Sequence, residues 1–565
     1  MKLVAGVDIG NSTTEVVVAD VSVSPPHVVS TERAPTRGRK GSAESGRAAA
    51  ALLARAARRG ALEIETVFLT PQRPVHTGRI DVPESPADLG RLTVLSTGAS
   101  TPAGSGSGVG RPVRVESDPA TVGAGPLVLV AEDPLGFRGT AAAIVAWQSR
   151  RSDIAGVLLA GDEATLVAAR LERSLPVADC VDPSQALACD LIALEVAGSG
   201  QLVTTLADPL WLVHALELEL DEQRHAVSAA AVTRGHRDAV IGRLRQSATE
   251  RAVVADRGSV RLRDDREVDL PSARSILLQL TVPAVRSLRA PGGAHDRVDD
   301  LWLVDLTDTG DLPGLRAGTV REQSLVVSSL AADRWSTEGT DAFAGEWSGA
   351  VEVISDEGTA SRRGSLTTPG ASPDAWVLDL GGGTVDLIDS HGHSATAAGS
   401  GELMTAATRH ALAISGGAAE WVKRGPASRV DAPHVVSDES GERRFLGSAA
   451  PHGTVGWLVV RGPSGQLPFS RTLSLAEWRS LRLSLKRWVF ADNLTRLLAA
   501  VDPSERPSQV VVTGGPAGDD ELLEALAPTL RDVTVGRARV AGTLDHRWAV
   551  AYGLVLEGRN PATAG

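Results

Sequence analysis

Two apolar runs, residues 3–7 and 16–19, flank Asp8-Ile9-Gly10-Asn11-Ser12-Thr13-Thr14-Glu15 and predict a β-hairpin that turns at Gly10-Asn11-Ser12. The same pattern returns at Trp376-Val377-Leu378, which runs through Asp379-Leu380-Gly381-Gly382-Gly383-Thr384-Val385-Asp386 into Leu387-Ile388. A third apolar run, Val510-Val511-Val512, passes through Thr513-Gly514-Gly515-Pro516 to an acidic helix start at Asp519-Asp520-Glu521. Between these landmarks the periodicity predicts a helix over 43–59, closed by Gly60, and a strand over 67–70. A strand at 127–131, a helix at 139–147 and a strand at 154–160 then suggest a small α/β module. Residues 208–245 read as amphipathic helix, 260–262, 276–282 and 301–306 as strands, 324–334 as helix, and 358–373 as a flexible surface loop. Ser474-Leu475-Ala476-Glu477 is a capping box that opens a helix with Leu481, Leu485, Trp488 and Val489 on one face, and residues 548–556 form a last helix.

The chemistry sits in the turns. A Gly-rich turn between strands offers backbone N–H groups and hydroxyls to a phosphate, and an Asp at the strand end can hold a hydrated metal ion. Two such units in one chain imply two similar lobes facing each other across a nucleotide. The third unit, strand then Gly-Gly then helix, lets backbone approach a nucleoside closely.

In this order the three elements resemble the actin-like ATPase superfamily. The wording of residues 5–16, with Asn11 after Gly10, resembles more closely the large subunit of the diol/glycerol dehydratase reactivating factors, as does the run from Asp162 to Asp179. The resemblance implies an α/β, actin-like (ribonuclease H-like) two-lobed ATPase with an inserted α/β swivelling module. Its expected segments are 1–90, the first part of one ATPase lobe; 91–225, the metal-binding module; 226–345, a linker and return; and 346–565, the second lobe. It implies ATP/ADP and Mg2+ as cofactors. Gly10, Asn11, Ser12 and Thr13 would hold the phosphates from one side and Gly381, Gly382, Gly383 and Thr384 from the other, with Gly401 and Glu402 at a helix start beside them. Lys486, Gly514, Gly515 and Pro516 would lie near the adenosine. Asp8 and Asp379 would hold magnesium, and one of them would orient the attacking water. A second divalent cation would be held by Asp162, Asp179 and Thr97. The implied partners are an adenosylcobalamin-dependent dehydratase, from which damaged cobalamin is released, and a small reactivase subunit. The chain departs from the family pattern at Gly381-Gly382-Gly383-Thr384, around Thr97, and through 230–375.

Composition narrows the alternatives. At 565 residues the chain is too long for one core. A net charge of −12 argues against nucleic-acid or anionic-membrane partners, which select a basic footprint. Arginine greatly outnumbers lysine, which reads as a genomic base-composition bias. Cys180 and Cys189 lack metal-site spacing, no run of about 18 apolar residues suggests a membrane span, and Met1-Lys2 leads straight into the first strand, so a cytoplasmic protein is expected. His391-Gly392-His393 falls in a predicted hairpin turn, where solvated histidines are expected. An actin-like small-molecule kinase and a non-enzymatic nucleotide-gated scaffold or filament remain the competing classes.

Overall fold

The computed structural model describes the chain apart from residues 83–88, 98–101, 133–134, 199–200, 246–255, 313–314, 317–319, 321–323, 333–335, 355, 502–505 and 559–565. The chain divides into two compact units, one made of Met1–Pro83, Asp256–Leu315 and Thr319–Gly565, the other of Glu84–Ala255 and Arg316–Gly318.

The larger unit contains the same sheet twice. Leu3–Ile9, Thr13–Asp20 and His27–Pro35 form an antiparallel meander, which Ile64–Leu69 and then Ala350–Val353 extend in parallel from its first strand. Trp376–Leu380, Thr384–Ile388 and Ser394–Ala398 repeat the meander, extended in parallel by Gln509–Thr513 and Thr534–Arg537. The first strand of each meander is buried along its whole length, as its unbroken apolar run predicts for a strand covered on both faces. Register also repeats: Asp8 pairs with Glu15 in one sheet and Asp379 with Asp386 in the other.

Two helices tie the sheets together. Glu357–Ser365 precedes the second sheet and packs on it, and Ala549–Gly558 follows that sheet and packs on the first. They cross at backbone contact. A Cβ at Gly364 would collide with the Ala549 carbonyl, and one at Gly553 with the Ala360 carbonyl, so neither position accepts a side chain. The predicted loop over 358–373 is thus in large part this helix. Its buried residues, Ala360, Ser361, Gly364 and Ser365, are small rather than apolar, which is why hydrophobic periodicity does not reveal it.

Three other expectations are corrected. The stretch from Ser324 is the strand Leu325–Ala331 in a six-stranded sheet, not a helix, and residues 333–334 lie outside the described residues. Residues 276–282 are not a strand but begin within the helix Ala273–Leu277. Residues 208–245 hold the helices Pro209–Ala215 and Gln223–Thr233 but end in the strand Asp238–Leu244. Because that strand pairs with Cys189–Val196 and Leu92–Thr97, it belongs to the smaller unit, which therefore runs past residue 225. The smaller unit is a seven-stranded mixed sheet with Gly136–Arg150 among its helices. No helix among the described residues is long and apolar enough to cross a membrane.

Candidate functional site

Within the larger unit, the two hairpin turns meet at a cavity of ≈ 340 Å3. The turns are closed in the same way: the Gly10 N–H donates to the Thr13 carbonyl at 2.9 Å, and the Gly381 N–H to the Thr384 carbonyl at 2.9 Å. Thr36 braces the first turn by donating from Oγ1 to the Gly10 carbonyl (2.8 Å), and Ser400 Oγ braces the second through the Gly381 carbonyl (2.8 Å). Gly10 to Thr13 and Gly381 to Thr384 all line the cavity, as do Asp8, Asp379, Gly401, Lys486, Gly514, Gly515 and Pro516. One cleft therefore gathers residues predicted from motifs hundreds of positions apart.

Its floor is acidic and buried. Asp8 is 9% exposed and its Oδ1 has no hydrogen-bond partner among the described residues. Asp379, 8% exposed, accepts a 2.6 Å hydrogen bond from Ser361 Oγ, on the helix Glu357–Ser365. Asp386 accepts from Thr384 Oγ1 at 2.7 Å and Thr396 Oγ1 at 2.5 Å. Burial, with the neighbouring carboxylates of Glu357 and Glu15, pushes Asp8 well above the usual carboxylate range. Burial likewise raises Asp379 to about 7 and Asp386 to about 6. Into this cluster projects Lys40, whose Nζ lies 2.6 Å from Glu357 Oε2. Burial alone would depress the ammonium, but Glu357 and Asp8 outweigh it and hold Lys40 above its ordinary value. An orphaned carboxylate oxygen beside further hard oxygen donors fits a magnesium ion, which prefers such ligands and keeps several waters.

The opposite wall is more basic. Glu420, Lys423 and Arg424 reach it from the end of the helix Gly416–Val422 and the turn after it, and Arg33 and Arg547 complete it. Lys423 donates to the Gly401 carbonyl at 2.9 Å and pairs with Glu420 at 2.7 Å. Lys486 lines the cavity together with Gly514, Gly515 and Pro516, and its ammonium, 1% exposed, pairs with Asp519 at 2.6 Å and Glu521 at 2.7 Å, which fixes that wall. Glu402 stands at the start of the helix Gly401–Leu412 beside the turns, outside the cavity lining, and its carboxylate accepts from Ser12 Oγ (3.2 Å) and Asn11 Nδ2 (3.4 Å).

Lys40, Glu357, Ser361, Asp386, Glu15, Glu420 and Lys423 were not singled out by motif reasoning. A signal existed for two of them, since each Asp-bearing strand is followed seven residues later by a second acid, Glu15 after Asp8 and Asp386 after Asp379.

In the smaller unit Asp162, Asp179 and Cys180 bring ligand atoms within 4.8 Å of one another. Asp179 is fully buried and accepts from the Ala164 N–H at 3.4 Å. Thr97 ends an edge strand, where it pairs with Ala239 on a strand that also touches Val177–Ala178. The histidines of 391–393 are in the expected turn, with His393 83% exposed.

The repeated sheet and its paired Asp-bearing turns define a protein of the actin-like ATPase class. Residues 296–558 match the family described as diol dehydratase reactivase ATPase-like domain, and residues 91–247 match the swivelling domain of the same reactivating factors. The chain belongs to the diol dehydratase reactivase family. It is 26% identical to the propanediol dehydratase-reactivating factor large subunit of Citrobacter freundii and 26% identical to the diol dehydratase-reactivating factor large subunit of Klebsiella michiganensis, with 98% of each chain covered in both cases. A solved diol dehydratase-reactivating factor in nucleotide-free form superposes with a TM-score of 0.72 at 25% identity, covering 99% of this chain and 100% of that one. A glycerol dehydratase reactivase superposes at 0.70 with 24% identity, covering 99% and 100%.

Proposed function

We propose that this protein is an ATP-dependent reactivase that releases damaged cobalamin from an adenosylcobalamin-dependent dehydratase of the diol or glycerol type. The observation that carries the reading is the pair of Asp-bearing turns, closed by the same hydrogen bond and lining one cavity, in a chain whose full-length relatives are dehydratase-reactivating factors. In this reading ATP lies in the cleft with its phosphates between residues 10–13 and 381–384 and its nucleoside toward Gly514, Gly515 and Pro516. Asp8, Asp379 and Asp386 would hold magnesium, which when bound neutralises phosphate charge. Asp8 or Asp379 orients the attacking water, and Lys40 offsets the charge that the acids and phosphates concentrate. Phosphoryl transfer is governed by positioning and charge neutralisation, so this machinery suffices for slow, switch-like hydrolysis.

The smaller unit would bind a second divalent cation through Asp162 and Asp179, with Thr97 as a further oxygen donor, and would dock a small subunit. The decisive experiment purifies the protein with the products of neighbouring genes and adds ATP to a cobalamin-inactivated dehydratase. Recovery of dehydratase activity is expected; normal ATP binding with no recovery would overturn the reactivase assignment.

A further inference from the structure

Asn11 and Ser12 line the cavity, yet their side-chain donors point to a carboxylate. Asn11 Nδ2 has two N–H groups, of which one goes to the Val75 carbonyl at 3.1 Å and the other to Glu402 Oε2 at 3.4 Å. The single O–H of Ser12 goes to Glu402 Oε1 at 3.2 Å. Glu402 in turn is fixed at the start of the helix Gly401–Leu412, because its own N–H donates to the Gly382 carbonyl at 2.8 Å. The contact joins the turn of the first sheet to that of the second, and the glycines opposite it allow the approach. A Cβ at Gly382 would stand 2.5 Å from Ser12 Oγ, and one at Gly383 would stand 2.9 Å from Asn11 Cγ.

We infer that Glu402 is a specificity gate: its carboxylate holds the Asn11 and Ser12 donors away from the cleft, and the terminal phosphate of a nucleoside triphosphate must displace it to claim them. The inference rests on the reading above that phosphates lie between the two turns. Two points carry it. The donors are fully spent on Glu402 and Val75, so a phosphate cannot share them. Carboxylate and phosphate are both anions and cannot occupy one donor set without repulsion. A diphosphate, lacking the terminal group, leaves the contact largely intact, so the gate discriminates nucleotides by phosphate number.

The test compares the wild-type chain with Glu402→Gln, which keeps the shape and weakens the acceptor, for binding of a non-hydrolysable ATP analogue and of ADP, each with magnesium. The variant should bind the triphosphate analogue about three- to tenfold more tightly, as expected for loss of a competing charge-assisted hydrogen bond at a partly exposed site, with ADP changed by less than about twofold. Unchanged or weaker analogue binding by a natively melting variant overturns the gate while leaving the cleft assignment standing. No analogue binding by the wild-type chain overturns the cleft assignment and the gate with it. A second readout is a Ser12→Ala and Glu402→Gln cycle followed by thermal midpoint. The two changes should be non-additive without nucleotide and additive with saturating analogue; non-additivity that persists undiminished in its presence overturns the gate.

Discussion

The Lys40 ammonium stands 2.6 Å from Glu357 Oε2, a contact between residues 317 positions apart in the wall that also carries Asp8 and Asp379. It connects the stretch after the first meander to the helix that leads into the second sheet, so it couples the scaffold to the charge of the site. Replacing Lys40 by Met would leave Glu357 beside Asp8, Asp379 and Asp386 without the ammonium that now pairs with it. Breaking a fully buried pair costs about 3–5 kcal/mol, and because Glu357 is 36% exposed a loss of about 1–3 kcal/mol is expected here. ATP hydrolysis should fall by about tenfold or more, on the scale of removing one preorganised charge partner. Urea unfolding and a phosphate-release assay measure the two effects; a variant with wild-type rate would show that Lys40 serves the fold alone.

Lys40→Arg should fail as well. The chain's lysines are Lys2, Lys40, Lys423 and Lys486, and all but Lys2 line the cavity. In a chain that otherwise uses arginine, these positions keep the compact ammonium. Lys40 and Lys486 are buried beside carboxylates, as a compact ammonium allows, and a planar guanidinium would need different contacts there. Partial ATPase activity in Lys40→Met with less in Lys40→Arg would be the signature of that mismatch, and full rescue by arginine would exclude it.

Asp8→Asn and Asp379→Asn should each lower magnesium-dependent hydrolysis by about a hundredfold or more, since both remove a candidate cation ligand. Stability should move the other way. Both carboxylates are buried beside other acids, so in EDTA each variant should melt no lower than the wild-type chain. Loss of activity together with a lower melting point would mean that the aspartates hold the turns rather than the metal.

Much of this site was legible because its motifs are local. A turn needs only a few consecutive residues, so Gly10 to Thr13, Gly381 to Thr384 and Gly514 to Pro516 could be read singly, and their gathering followed from the order of the motifs. What stayed hidden depends on distant partners. Lys40 and Glu357 lie in stretches that read as polar connections, and only packing of the helix Glu357–Ser365 through its small residues brings them into the cleft. Lysine usage was a usable signal that composition statistics disguised as base bias. The strand Leu325–Ala331 was missed for a related reason: Ser328, fully buried, hydrogen-bonds Thr77 across the sheet, so a polar letter occupies a core position.

Acid should weaken the ion pairs that hold the Lys486 wall, while neutral pH leaves them intact. Glu521 is buried enough to lose solvation, but Arg482 and Lys486 more than compensate and pull it down to about 2. An unfolded glutamate titrates near 4.3. The native state therefore binds fewer protons than the unfolded one between these values, so this stabilisation is complete above about pH 5 and is lost as pH falls toward 2. Glu521→Gln should lower the urea midpoint at pH 7 and flatten its decline between pH 5 and pH 3. An unchanged slope on the acid limb would remove Glu521 from the account.

The smaller unit provides the test that separates docking from hydrolysis. Asp162, Asp179 and Cys180 lie in one cluster, whereas every residue assigned to the nucleotide belongs to the larger unit. Replacing Asp162 and Asp179 together by alanine should abolish manganese binding at that cluster, read by calorimetry on the full chain, and weaken co-purification with a small subunit. Magnesium-dependent ATP hydrolysis should stay within about twofold of wild type, because sites without shared contacts behave independently. Loss of hydrolysis in a variant with native melting would instead make the cation part of the ATPase cycle. Undiminished manganese binding would place the ion elsewhere. Cys180→Ser then distinguishes a hard oxygen site from one that recruits the thiolate: an oxygen site tolerates the change, whereas a thiolate ligand would make zinc binding fall far more than manganese binding.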